Sequence, residues 1–146
     1  MGALTVATVR QRVATALEAV SGWTESRFAP PIFGRDSAQL VHHAFTVDPA
    51  TTSPLDADRR QRVADGVEAV TGLTVRFAHR LRGDNQVADF DAALAAEHTV
   101  IKTALAISRS DLHIIFAAVE RRAVSDAGDL FLGAVRFTAL HRLALQ

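Results

Sequence analysis

Six histidines, His42, His43, His79, His98, His113 and His141, are the residues of this chain best suited to hold a metal ion or move a proton near neutral pH. None forms a His-x-x-x-His pair on a predicted helix. His42 and His43 are neighbours on a predicted strand, which sends their side chains to opposite faces. No metal site and no cofactor is expected, and structural histidines are the simpler reading. Asp84, Asp89 and Asp91 form the densest carboxylate cluster and could bind a divalent cation or work as an acid and base pair. Capping by Asp89 and a first-turn position for Asp91 account for two of them more cheaply. Ser108 and Ser110 flank Arg109 with no G-x-S-x-G elbow, and Gly34, Gly83 and Gly133 stand alone, so neither a serine nucleophile nor a phosphate-cradling loop is indicated. The chain has no cysteine, which removes disulfides, thiolate nucleophiles and Cys-based zinc sites. No catalytic motif is present, and an enzyme is not expected.

Charge is balanced, with 16 basic and 16 acidic residues, so the field of the whole chain does not steer it onto nucleic acid or anionic lipid. Arg59, Arg60 and Arg62, with Arg76, Arg80 and Arg82, could form a local basic face, because alternate residues of a strand project the same way. Aromatic residues do not interleave with them, and a solvated or subunit-facing arginine row is the better account. No apolar run approaches the length of a membrane span. Met1 to Val9 has neither a basic region nor a continuous apolar core, so no secretory signal is indicated and cytoplasmic synthesis is expected.

The elements that position these side chains follow from periodicity. At 146 residues, 49% of them apolar and with only four prolines, the chain is expected to form one domain with a substantial core. Thr5 is placed to cap a first helix carrying Val6, Val9, Val13, Leu17 and Val20 at helical spacing, closed by Ser21 and Gly22. Trp23 to Asp36 is a structured loop with room for a short edge strand. Val41 to Val47 alternates as a strand that Pro49 is expected to stop, and Ala50 to Ala57 is the most loop-like stretch, expected on the surface.

Residues 10–24 and 60–74 share ten of fifteen positions. Duplication would make Arg59 to Thr71 a second helix. The unbroken period of two from Val67 to Leu81, and the cost of Gly66 inside a helix, favour a long strand beginning near Val67. Leu73, Val75, Phe77, His79 and Leu81 mark its buried face. A turn at Arg82 to Asn85 leads to a helix over Val87 to Ser108, with Asp89 as cap and Phe90, Leu94, Ile101 and Leu105 on one side. Leu112 to Val124 and Leu130 to Leu145 read as a hairpin joined at Ser125 to Asp129, with Phe131, Val135, Phe137, Ala139, Leu143 and Leu145 on one face. The expected fold is a single α+β domain spanning residues 1–146: a mostly antiparallel sheet of at least four strands with two main helices on one face.

The run from Leu73 to Asn85, LTVRFAHRLRGDN, followed by Val87 to Glu97, VADFDAALAAE, resembles tail-terminator proteins of long-tailed bacteriophages and related gene-transfer particles. The likeness extends to the N-terminal helix, the strand ending near Val47 and the closing pair of strands. It implies a structural virion protein of the tail or neck, assembled in the host cytoplasm. Such a subunit closes into a homohexameric ring, caps the tail-tube protein and joins the head connector, or stopper, protein while DNA passes through the lumen without sequence-specific reading. The family acts through surfaces, so no catalytic, cofactor-binding or metal residues carry over. Interface candidates are Arg76, Arg80 and Arg82, which would pair with Asp126 and Asp129 of an adjacent subunit. The alternative is a small ligand-binding or enzymatic α+β domain with a pocket between sheet and second helix lined by Phe77, His79 and Glu97.

Overall fold

The computed structural model describes residues 2–29, 41–55, 66–82, 85–124 and 129–145. Helix α1 (Val6–Glu18) starts where Thr5 Oγ1 accepts the Thr8 N–H at 3.1 Å, and Gly22, at φ +88°, reverses the chain after it. Its inward stripe is Val9, Val13, Ala14 and Leu17. Five strands form one sheet: β1 (Thr24–Glu25), β2 (Ala44–Pro54), β3 (Val67–Arg80), β4 (Leu112–Val124) and β5 (Leu130–Leu143). Their order is β1-β2-β3-β5-β4, with β1 parallel to β2 and every other pair antiparallel. Helix α2 (Gln86–Leu105) crosses between β3 and β4. This is the expected α+β domain.

Both helices pack on one face of the sheet, over Phe45 and Val47 of β2, Leu73, Val75 and Phe77 of β3, Leu112 and Ile114 of β4, and Phe131, Val135, Phe137 and Ala139 of β5. The alternation in these strands was the guide to their inward side. The opposite face carries charged pairs: Arg76 donates to Asp48 at 2.8 Å, and Arg136 Nη2 lies 2.8 Å from Glu120 Oε1. At the Ala78 and Leu130 end of that face a small second cluster joins Ala44, Ala78 and Leu130.

Several local expectations change. Pro49 does not end β2, which continues to Pro54 with a register shift between Pro49 and Thr52. Among the described residues this strand pairs beyond Phe45 only with β3, and a proline lacking an N–H is tolerated on such an edge. Part of the supposed loop is therefore strand, although Thr51 to Leu55 is exposed as expected. The favoured strand from Val67 is present and Val67 to Thr71 is not helix, with Gly66 at φ +84° before it; the rest of the alternative helix, 59–65, lies outside the described residues.

Helix α2 is capped by Asn85, four residues before Asp89, and it ends at Leu105, before Ser108. It also turns a different face inward. Ala93, Ala96, Glu97, Val100 and Ala104 are buried while Phe90 and Leu105 are exposed. Small alanines let the helix lie close to the sheet, and the bulky residues that suggested a core stripe sit at its margins. Asp91 is exposed.

Candidate functional site: a histidine cluster and an open sheet edge

Val41 to Ala44 forms a tight turn into β2, in which the Ala44 N–H donates to Val41 O at 3.0 Å. His43 adopts φ +60°, the one non-glycine residue with positive φ among the described residues. That conformation costs an L-residue about 1–2 kcal/mol. It is held from three sides: the His43 N–H donates to Ala78 O at 2.7 Å, His43 O accepts from Thr24 N–H at 3.2 Å, and the ring stacks on Trp23 at 4.4 Å. His42 and His43 do not diverge to opposite faces, because they lie in this turn and not on a strand. Their rings stack with centroids 3.7 Å apart.

The turn brings both rings to His79, on the inward side near the end of β3. His43 Nε2 and His79 Nδ1 share a hydrogen bond of 3.0 Å, and the ring of His42 meets that of His79 edge-on at 4.6 Å. One ligand nitrogen from each of the three can be chosen so that all lie within 4.8 Å of one another. His42 is exposed, His43 half-buried and His79 buried. His42 Nδ1 accepts the Arg80 N–H at 3.0 Å.

All three rings are shifted toward the neutral form. Burial pushes His43 down to about 4, aided by the neighbouring charges of His42 and His79. Burial also lowers His42, with Arg80 and Arg82 acting in the same direction. His79 falls through burial and His42, opposed by Asp89. Sequence reading missed this cluster because His79 is 36 positions away from His43 and only strand pairing closes the distance. His98 and His113 are exposed and stand apart, and His141 is buried with its Nε2 2.8 Å from Thr71 Oγ1.

The interface candidates divide. Arg76 is engaged by Asp48 of its own chain, whereas Arg80 and Arg82 are exposed at the end of β3. Arg80 is in register with Leu130, and Leu81 N–H donates to Asp129 O at 2.8 Å, so Asp129 lies at the same end of the sheet. Asp126 lies outside the described residues, as do Asp84 and Arg59, Arg60 and Arg62. The predicted carboxylate cluster is therefore seen only through Asp89, whose Oδ2 accepts the Arg82 N–H at 2.6 Å, and Asp91. Phe77, His79 and Glu97, the residues expected to line a ligand pocket, are all buried.

The other feature without an internal explanation is β4. It pairs with β5 on one side, and among the described residues nothing pairs with its other side. Ile115 and Phe116 on it are each 42% exposed. Against known proteins, no family model and no curated protein matches this chain. Among solved structures it is similar to a chain of the virion of a native gene transfer agent particle, at 20% identity over 90% of each chain, with a TM-score of 0.45. Among the described residues no helix is long and apolar enough to cross a membrane.

Proposed function

We propose that this chain is a structural virion protein of the tail-terminator type, a subunit of a hexameric ring that caps the tail tube and meets the head connector. The observation that carries the reading is the β4 edge. A 13-residue edge strand with two adjacent large apolar side chains exposed is a template for pairing with another chain. β2, toward the other side of the sheet, carries Pro49 and Pro54, which disfavour strand addition there. The β4 edge of one subunit meeting a different surface of the next makes a head-to-tail contact, and a contact of that kind closes into a ring when its rotation allows. Within the Leu73 to Glu97 run that resembles tail terminators lie the second half of β3, the central strand of the sheet, and the first part of α2.

The charged end of the sheet is the second element of the proposed contact. Arg80 and Arg82 pair with Asp126 and Asp129 of the adjacent subunit, with Arg76 contributing less because Asp48 already holds it. Such rim charges set register and association rate more than affinity. DNA crosses the lumen without base-specific contacts, and the ring acts without catalysis or cofactor.

Native mass spectrometry with negative-stain imaging over a range of concentrations tests this. The expected result is a six-subunit ring with an open lumen, weakened by Ile115→Lys and, more at low ionic strength than at high, by Arg80→Glu. A compact dimer that Ile115→Lys leaves intact overturns the reading. An unchanged assembly state in Arg80→Glu removes the charged contact from it.

A further inference from the structure

We propose that His42, His43 and His79 form a three-histidine site for a divalent transition-metal ion of the zinc class. The inference is independent of the ring. Imidazole nitrogens suit zinc, copper and nickel, whereas magnesium and calcium need oxygen ligands that this cluster lacks. The 3.0 Å between His43 Nε2 and His79 Nδ1 is close to the separation of about 3.3 Å that two nitrogens take on a tetrahedral zinc with bonds near 2.0 Å. All three ligand nitrogens fit within 4.8 Å. Three side-chain ligands leave a fourth position for water or a donor from elsewhere.

One feature of the surroundings favours a site over a chance stack. The backbone at His43 is held in a left-handed conformation that brings its ring against those of His42 and His79, a strained geometry of the kind that persists where the surroundings over-determine it.

Loading replaces two contacts. The proton shared between His43 and His79 moves to the outer nitrogen of its ring, and His42 turns to present a bare nitrogen, releasing the Arg80 amide. His42 is exposed, so its ring is free to turn. The fixed pair is thus His43 and His79, with His42 as the closing ligand.

The probe is zinc chloride added to the full chain without a polyhistidine tag, read by native mass spectrometry and by thermal unfolding. One zinc per chain and a raised Tm are expected, because a ligand held only by the folded state stabilises it. With cobalt chloride the same protein should give the intense visible absorption of a tetrahedral ion. His42→Asn keeps an acceptor near the Arg80 amide and removes the ligand; it should bind zinc at least about tenfold more weakly, the loss that even an outer-sphere change can produce. His98→Asn and His113→Asn, at exposed positions outside the cluster, should bind as the parent does. Absence of a one-to-one zinc adduct in the parent overturns the site, as does a His42→Asn variant that binds equally well or a control variant that loses binding.

Discussion

The ring of Phe77 lies across Gly133: a Cβ added to that glycine would sit 2.5 Å from Phe77 Cε1 and 2.6 Å from Cζ. The two residues are register partners on β3 and β5, in the middle of the helix-covered face. Gly133 is a packing residue whose missing side chain makes room for the aromatic ring. Gly133→Ala should destabilise the fold by about 1–3 kcal/mol through overpacking. Chemical denaturation checks this, and adding Phe77→Leu should recover part of the loss, since the two sites share one space.

Asn85 and Asp89 make opposite predictions about the start of α2. Asn85 Oδ1 accepts the Ala88 N–H at 3.2 Å, the capping bond, while Asp89 holds the Arg82 amide of the preceding turn. Asn85→Ala should cost about 0.5–2 kcal/mol, and Asn85→Asp should restore most of it. Equal stability of Asn85→Ala and the parent in thermal unfolding would return the capping role to Asp89.

His141 should make stability fall in acid. Its ring is buried, and burial lowers its pKa below the ordinary 6.5, outweighing backbone hydrogen bonds at Arg142 and Leu4 that act to raise it. The unfolded chain therefore takes up the proton first. The contribution is fully present above pH 6.5 and is lost as pH falls through the lower folded value. His141→Gln, measured by denaturant midpoint against pH, should show a shallower decline below 6.5 than the parent; His42, His43 and His79 are common to both proteins and cancel in the comparison.

Arg12 and Asp111 join α1 to the start of β4 through two parallel hydrogen bonds of 3.0 Å each. The guanidinium holds the Asp111 carboxyl below its ordinary 3.8, so the stability this pair supplies is present above that pH and is lost as pH falls further. Because both side chains are partly exposed, salt should screen the pair. Asp111→Asn should lower Tm in dilute buffer, and the difference from the parent should shrink in concentrated salt.

Periodicity in the chain by itself determined the α+β class, α1 with its Thr5 cap, the long strand from Val67 and the β4–β5 hairpin, because side-chain alternation is a local property fixed by which face is buried. The continuation of β2 through Pro49 was hidden because a proline is permitted or forbidden by what pairs beside it, and among the described residues only the short β1 pairs with that side of β2. The inward face of α2 was misread because close approach to the sheet selects Ala93, Ala96 and Ala104 over Phe90 and Leu105, a choice that composition does not record. His42, His43 and His79 carry no spacing motif. Only the pairing of β2 with β3, and a left-handed turn at His43, put the three imidazoles within ligand distance.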